Sequence, residues 1–422
     1  MEDNRTYFVI DMKSFFASCE CAERGLNAMT TKLVVADERR TDKTICLAVS
    51  PALKKMGVKN RCRLFEIPKN FNFIIAKPRM KKYIEYASEI YGIYLKYVSK
   101  EDIHVYSIDE CFIDATEYLK LYNLSAIQFV KKLIKEIKDK IKIPASAGIG
   151  SNMYLAKIAL DITAKASKEQ IGYLDETIFK KTLWNYRPIT DFWGISNGIA
   201  STLSKLGIYD MEGISKANED YLYNAFGINA ELLIDHSNGI EPCLMSDIKG
   251  YKGKSKSISS SQILPCNYSF SEALMVFKEM IQNGCYDLFI QHYSTSLLNV
   301  FIGYGDEKKD IVKGTIRIPS TTNLYSIVGE YAEKCFMDIV DMSRPVRRVG
   351  YAFCDLSSDK DERYDFFTDY KKIDKEKKLV SSVVDVKEKF GKNAIFKGVD
   401  LNKKATQRER NSTIGGHSSG ES

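Results

Sequence analysis

Two adjacent carboxylates between apolar runs constrain the fold of this chain more than any other feature. Residues 103–108 form a largely apolar, β-branched run that predicts a strand, and residues 111–113 predict the strand that returns. Asp109 and Glu110 lie at the turn between them, where side-chain alternation breaks and both carboxylates can reach one point. Such a pair repels itself unless a cation lies between, and Mg²⁺ favours hard oxygen ligands. An ordinary exposed hairpin turn is the alternative for an isolated Asp-Glu pair.

Another carboxylate precedes this hairpin along the chain. The continuous apolar run 6–10 predicts a strand buried on both faces, and it ends at Asp11. Open α/β sheets bind ligands at such strand ends, although a lone Asp there is more often a helix N-cap. With helical spacing over 126–141 and a small-residue strand at 144–150, the order becomes β-α-β-β-α-β. We therefore predict a ferredoxin-like sheet on which Asp11 converges with the hairpin carboxylates.

Size and composition set broad limits. A chain of 422 residues suggests two to four domains, and its net charge of +7 is compatible with an anionic partner without demanding one. It has no run of about 18 apolar residues, so no membrane span is expected. The N-terminus lacks the apolar core of a signal peptide, which predicts a cytoplasmic location. Ten cysteines and four histidines show no zinc-binding spacing, so reduced thiols are expected.

The second half of the chain carries features that suit nucleic-acid binding. Residues 191–208 look like a helix–hairpin–helix, whose glycine turn points N–H groups at a phosphate. Ser196 stands where a second glycine is usual, so a plain helical connector is the alternative. Arg344, Arg347 and Arg348 enter a later predicted strand; they suit a phosphate backbone, although edge strands also use charge to avoid pairing.

Two segments, 9–20 and 106–110, together resemble the signature segments of Y-family DNA polymerases. The resemblance extends through residues 156–159, 192–195 and 239–243 and covers most of the chain. Residues 17–20 and the long tail resemble the UmuC branch, the catalytic subunit of DNA polymerase V.

The resemblance implies a multidomain α+β fold in which the fingers interrupt the palm. The implied domains are the first part of the palm (1–25), small fingers (26–78), the second part of the ferredoxin-like palm (79–172), a helical thumb with the helix–hairpin–helix (173–245), a basic linker (246–256), a βαββαβ little finger (257–356) and a partly disordered C-terminal tail (357–422). Residues 411–422 are Ser/Gly-rich, which predicts the disorder.

The resemblance also implies an enzyme, a DNA-directed DNA polymerase that carries out error-prone translesion synthesis in DNA repair of the SOS type. Asp11, Asp109 and Glu110, with the backbone carbonyl of Met12, would hold two Mg²⁺ ions. A non-catalytic DNA-bound accessory of the same fold and a nucleotidyl cyclase on a ferredoxin-like palm are the competing interpretations.

Further residues are expected to border the incoming nucleotide. Phe16 matches the aromatic residue that packs under the sugar, and its neighbour Phe15 is expected mainly in the core. Lys54 and Pro51 stand where some family members carry Arg and Tyr to grip the triphosphate. Lys165 is the candidate for a second phosphate contact.

Primer–template DNA and a dNTP are the expected partners, together with two kinds of protein. The segment 362–367 resembles a degenerate sliding-clamp-binding motif, with Tyr364, Phe366 and Phe367 as its aromatic residues. A strand that folds back on the little finger is the equal alternative. A UmuD-like or recombinase partner is a further expectation.

Overall fold

The computed structural model describes residues 5–38, 41–253, 257–308, 310–364 and 369–420. The chain forms two compact units, one of residues 1–251 together with 417–422, the other of residues 252–416. Each unit has its own hydrophobic core. In the described parts of the chain, no helix is both long and apolar enough to cross a membrane.

The first unit contains most of the elements. In chain order they are β1 (Tyr7–Met12), α1 (Phe15–Glu23), β2 (Leu33–Val35), β3 (Ala48–Val49), α2 (Pro51–Lys55), β4 (Ile74–Ala76), α3 (Met80–Tyr94), β5 (Ile103–Val105), β6 (Glu110–Asp114), α4 (Thr116–Tyr122), α5 (Ala126–Ile141), β7 (Ala145–Gly150), α6 (Met153–Ile158), α7 (Ala164–Ala166), β8 (Ile171–Leu174), α8 (Glu176–Leu183), α9 (Asn197–Lys205), α10 (Met211–Ser215), α11 (Glu219–Phe226), α12 (Asn229–Ser237) and α13 (Met245–Gly250).

A five-stranded sheet with the order β5-β6-β1-β7-β8 forms the centre of this unit. β1 lies antiparallel to both β6 and β7, and β8 adds a parallel strand beside β7. The first four strands have the predicted ferredoxin-like order; β8 extends it, and β5 ends at Val105, before the predicted end of its strand. One face of the sheet packs on α1, α3 and α5, and the other packs on α6.

Two insertions complete the first unit. Between α1 and α3, the strands β2, β3 and β4 form a small sheet with its own core. After β8, helices α8 to α12 pack around a third core. In the stretch that resembles a helix–hairpin–helix, Gly194 has a φ of 90° and Ser196 is the N-cap of α9, accepting the Ile199 N–H. Ser196 therefore starts the helix at the place where a second glycine is usual.

The second unit is a mixed α+β layer. Its elements are β9 (Ile258–Tyr268), α14 (Phe270–Ile290), β10 (Tyr293–Tyr304), β11 (Ile311–Thr322), α15 (Tyr325–Ile339), β12 (Val346–Cys354), β13 (Ser357–Ser358), α16 (Tyr370–Phe390), α17 (Gln407–Asn411) and β14 (Thr413–Ile414). The predicted β-α-β-β-α-β element order is present, but the sheet order is β11-β10-β12-β9, which differs from that of the first unit.

The end of the chain differs from its prediction. Residues 411–422 were expected to be disordered, yet the structure describes the chain through Gly420, with a last short strand, β15 (His417–Ser418). Ser419 is buried, and its carbonyl accepts the Lys81 N–H at the start of α3 at 3.0 Å. Composition alone could not reveal this contact, because Lys81 is far from Ser419 in the sequence.

Candidate active site

Asp11 and Glu110 lie side by side on neighbouring strands. They are register partners across β1 and β6, so both side chains leave the same face of the sheet. That face also carries Tyr7, Val9 and Phe112, which pack against α6. The N-cap of α1 is Ser14, so Asp11 does not cap this helix, which is the role that a lone Asp at a strand end more often has.

Asp109 occupies the loop between β5 and β6. The Ser107 hydroxyl donates to Asp109 Oδ1 at 2.7 Å, and the Met12 N–H donates to the Asp109 carbonyl at 3.0 Å. The Ser107 N–H in turn donates to the Glu110 carbonyl at 3.1 Å. These bonds fix the loop against the end of β1, where Asp11 lies.

A lysine from α6 lies among the carboxylates. Lys157 Nζ lies 2.8 Å from Glu110 Oε1 and 3.1 Å from Asp161 Oδ1, and Lys157 and Glu110 are both buried. The helix can lie this close because β7 carries glycines: a Cβ on Gly148 would stand 2.0 Å from the Ala156 carbonyl oxygen. The small-residue strand therefore brings the Lys157 ammonium to the sheet.

The charges of this cluster are unbalanced. Burial, together with the charges of Asp109 and Glu110, raises the pKa of Asp11 to about 7. Burial also raises the pKa of Glu110, against the opposing effect of Lys157. Burial alone would lower the pKa of Lys157, but Asp161 and Glu110 raise it overall. The Lys157 ammonium pairs with Glu110 and Asp161, while Asp11 and Asp109 add further negative charge, so the site favours additional positive charge.

The donor set fits divalent magnesium in its chemistry. Within the described residues, no three carboxylate, histidine or cysteine side chains form a ready-made metal cluster. Mg²⁺ is usually held by one or two protein carboxylates together with water and substrate phosphates, so a closed protein cage is not required. Burial and neighbouring negative charges disfavour the ionised carboxylates of Asp11 and Glu110, and a bound divalent cation would offset that cost.

The two predicted aromatic residues have different environments. Phe15 is 2% exposed and belongs to the core of the first unit, whereas Phe16 is only partly buried. The Phe16 ring lies 4.8 Å from the Tyr83 ring, and the Tyr83 hydroxyl donates to the buried Glu20 carboxylate at 2.8 Å. Arg79 donates to both oxygens of Glu20 at 2.9 Å. The Phe16 ring therefore packs against a tyrosine whose hydroxyl is held by a hydrogen-bond network with Glu20 and Arg79.

The two predicted phosphate contacts also differ. Lys54 is exposed on α2; partial desolvation lowers the pKa of its ammonium group, and the charges of Asp11 and Asp109 oppose this. Lys165 is exposed on α7 and lines a cavity of about 570 Å³ with Leu174 and Tyr186. Among the described residues, Lys165 forms no hydrogen bond or ion pair with the carboxylates of Asp11, Asp109 and Glu110.

The possible clamp segment is only partly described. Phe366 and Phe367 lie outside the described residues. The Tyr364 hydroxyl donates to Glu362 at 2.8 Å and lies 3.1 Å from the Thr322 hydroxyl. Arg363 forms an antiparallel bridge with Thr321. At Arg363 and Tyr364, the segment thus folds back on its own unit.

The sheet of the second unit presents cations on one face. Lys313, Arg317 and Arg348 share the face opposite to the core residues that pack against α14 and α15. Arg317 lies 3.6 Å from Asp355, and Arg348 donates to the Ser261 hydroxyl at 3.1 Å. Arg344 has a structural role instead.

Arg344 differs from the other arginines because it ion-pairs with Asp306 and Asp310. Its guanidinium also lies 3.7 Å from the centre of the Tyr304 ring. These contacts hold the turn between β10 and β11. The guanidinium of Arg344 is therefore engaged within its own unit, whereas the sequence suggested that it contacts a phosphate.

Sequence reasoning missed Lys157 and Asp161 as members of the site. They are four residues apart at the junction of α6 with a π-helical turn at Ala159–Thr163, so both reach the same point. The signal was a Lys-Asp pair at i, i+4 directly after a glycine-rich strand. The π-helical turn adds one residue to the helix between Lys157 and Lys165. The direction of the Lys165 side chain relative to Lys157 therefore could not be predicted from α-helical periodicity.

Comparisons with known proteins agree with this geometry. Residues 10–161 match the impB/mucB/samB family. A protein of Bacillus subtilis (strain 168), named as a UV-damage repair protein, UvrX, is 29% identical over 418 residues, 97% of each chain. DNA polymerase IV 2 of the same strain is 29% identical over 428 residues, 99% of this chain and all of its own.

A solved structure shows the same fold. A chimeric Y-family DNA polymerase superposes with a TM-score of 0.64 at 22% identity, over 83% of this chain and 98% of its own. Residues 10–161 thus match the impB/mucB/samB family, and the chain shares the fold of a solved Y-family DNA polymerase. The chain is therefore similar to DNA polymerases in sequence and in fold.

Proposed function

We propose that the protein carries out error-tolerant, template-directed DNA synthesis past damaged template bases, in a response of the SOS type. The observation that carries this proposal is the pairing of Asp11 with Glu110 across β1 and β6, with Asp109 fixed in the adjoining loop. The relatives named for UV-damage repair and for DNA polymerase IV support the role in damage tolerance.

In the proposed reaction, the primer 3′-hydroxyl attacks the α-phosphorus of a deoxynucleoside triphosphate, and pyrophosphate leaves. Asp11, Asp109, Glu110 and the backbone carbonyl of Met12 would hold two Mg²⁺ ions. When bound, the ions supply charge that stabilises the attacking and leaving oxygens. Lys157 holds the Glu110 carboxylate in place, and its buried ammonium offsets part of the negative charge before substrate arrives.

Substrate binding is assigned to the residues around the carboxylates. Phe16 would pack under the sugar, with Phe15 behind it in the core. Lys54 would contact the triphosphate; as a lysine it keeps the charge of an arginine but lacks its two-pronged hydrogen bonding. Lys165 stays a predicted second contact. The cationic sheet face of the second unit suits a DNA backbone, because phosphate contacts need charge without base-specific geometry.

Two kinds of protein partner belong to the proposal. Phe366 and Phe367 would anchor a sliding clamp, while the contacts of Tyr364 within its own unit favour a structural role for that residue. A UmuD-like or recombinase partner stays a prediction. The DNA substrate would place the protein in the cytoplasm.

Primer extension tests the proposal. Purified protein with Mg²⁺ and dNTPs should extend a primer on an intact template and also opposite an abasic site. Extension that stops before every abasic site would contradict the damage-tolerance role while leaving polymerase activity intact. Absence of extension on both templates would contradict the proposed reaction itself.

A further inference from the structure

A hydrogen bond links the helical part of the first unit to the carboxylate loop. Trp193 lies next to the turn at Gly194, before α9, and its indole N–H donates to the Tyr106 hydroxyl at 3.1 Å. The two rings meet edge to face, with centroids 5.9 Å apart and planes at 82°. Aromatic pairs favour this geometry, so ring packing and hydrogen bond act together.

Tyr106 borders the candidate active site with its backbone and with its ring. Its backbone N–H donates to the Glu110 carbonyl at 3.0 Å. The Lys157 ammonium lies 6.0 Å from the centre of its ring and 2.8 Å from Glu110 Oε1. The same residue therefore borders the backbone of Glu110 and the cation that holds its carboxylate.

Trp193 is held in position by its neighbours. The Phe112 ring lies 6.0 Å from it on one side, and the His236 ring lies 6.2 Å from it in a stacked orientation. His236 in turn stacks on the buried Tyr154 ring at 3.8 Å. The indole N–H is therefore a fixed donor.

Tyr106 is the open member of the cluster, since 46% of its surface is exposed. The Tyr106 ring meets the Phe112 ring edge to face, with centroids 5.6 Å apart, and the His104 ring at 6.5 Å. The hydrogen bond from the indole adds a directional contact that fixes the hydroxyl end of this ring, which also borders Lys157.

We propose that Tyr106 and Trp193 are positioning residues for the polymerase reaction. Through their hydrogen bond, the turn at Gly194 sets the position of the carboxylate loop, so that contact of this turn with DNA aligns Glu110 for catalysis. The inference rests on the proposed nucleotidyl transfer and adds two residues that act through Glu110 and touch no reacting atom.

Phenylalanine substitutions test the inference: Tyr106→Phe keeps the ring and removes only the hydroxyl, whereas Trp193→Phe removes the indole N–H together with the five-membered ring that carries it. Tyr106→Phe and Trp193→Phe should each lower kcat for single-nucleotide insertion by about three- to tenfold, the range expected for one neutral hydrogen bond. The KM for dNTP and the Kd for primer–template should stay within about twofold. The double variant should be no slower than the slower single variant, because both substitutions break the same hydrogen bond.

Two matched controls separate positioning from stability. Tyr118→Phe removes a hydroxyl that donates to Asp102 at 2.6 Å, and Trp184→Phe removes an indole donor to the Ser237 carbonyl at 2.8 Å. Both should lower the melting temperature about as much as the test variants and leave kcat unchanged.

Three results would overturn the inference: wild-type kcat in both single variants, additive losses in the double variant, or equal losses of kcat in the controls. If the wild-type protein itself shows no insertion, the proposed function fails; active wild type with unaffected variants rejects the coupling alone.

Discussion

At the scale of single residues, two adjacent phenylalanines have different environments. The helix that starts shortly after β1 turns Phe15 into the core, as the sequence suggested, and leaves Phe16 only partly buried. The support of Phe16 by Tyr83 and Glu20 could not be predicted, because these residues lie in different elements that only the fold brings together.

Phe16→Ala should relax the choice of sugar. Without the ring, the 2′-hydroxyl of a ribonucleotide keeps its water and meets no steric barrier; burying it unpaired costs roughly 1–3 kcal/mol in the wild type. We expect the ratio of kcat/KM for dNTP over rNTP to fall about tenfold or more. Phe15→Ala is the control. It should reduce the free energy of unfolding by about 3–5 kcal/mol and so lower the melting temperature. An unchanged ratio in Phe16→Ala would make Phe16 a packing residue.

At the scale of elements, the contact between β7 and α6 positions the site. The sequence predicted the strand and the helix but could not reveal how closely they approach, because that depends on backbone atoms meeting across two glycines. Gly148 and Gly150 both face the α6 backbone at distances that exclude any Cβ. The π-helical turn after α6 was equally hidden, since apolar periodicity does not distinguish it from an α-helical turn.

Gly148→Ala should therefore move α6 and its lysine. The new Cβ would stand 2.0 Å from the Ala156 carbonyl oxygen and 2.3 Å from the Leu160 nitrogen. We expect a loss of about 1–3 kcal/mol in the free energy of unfolding, together with reduced insertion activity. The chain's two tryptophans, Trp184 and Trp193, lie in the first unit, so their fluorescence during urea unfolding reports on it.

Gly92→Ala is the matched control for this prediction. Gly92 lies inside α3 with nothing within 4 Å of a new Cβ. The substitution should stabilise the first unit by about 0.5–1 kcal/mol, because alanine suits a helix interior better than glycine. A Gly148→Ala protein as stable as Gly92→Ala would contradict the account of the β7–α6 contact.

At the scale of the whole molecule, the same order of elements builds two different sheets. Both units run β-α-β-β-α-β, which the sequence indicated, yet one sheet carries its carboxylates on a central strand pair and the other presents cations on an open face. Strand order was not predictable for the second unit, because alternating patterns specify which face is buried and not which strands are neighbours.

The cationic face predicts a salt-dependent DNA contact. Lys313→Ala and Arg348→Ala should each weaken primer–template binding to a similar extent on every sequence, and each should reduce the slope of log K against log salt by about one. Lys334→Ala, an exposed lysine on α15 on the opposite side of the sheet, should leave both quantities unchanged. Equal effects of all three variants would show a general charge effect and contradict a specific face.

The central claim is that the carboxylates of the first unit carry out nucleotidyl transfer. The most direct measurement is single-nucleotide insertion by Asp109→Asn and Glu110→Gln under conditions where wild type and variants are saturated with primer–template. We predict that kcat falls by about 10³-fold or more in each variant, with DNA affinity unchanged, because the cations that stabilise the transferring phosphoryl group lose a ligand. Insertion at the wild-type rate by either variant would contradict the account.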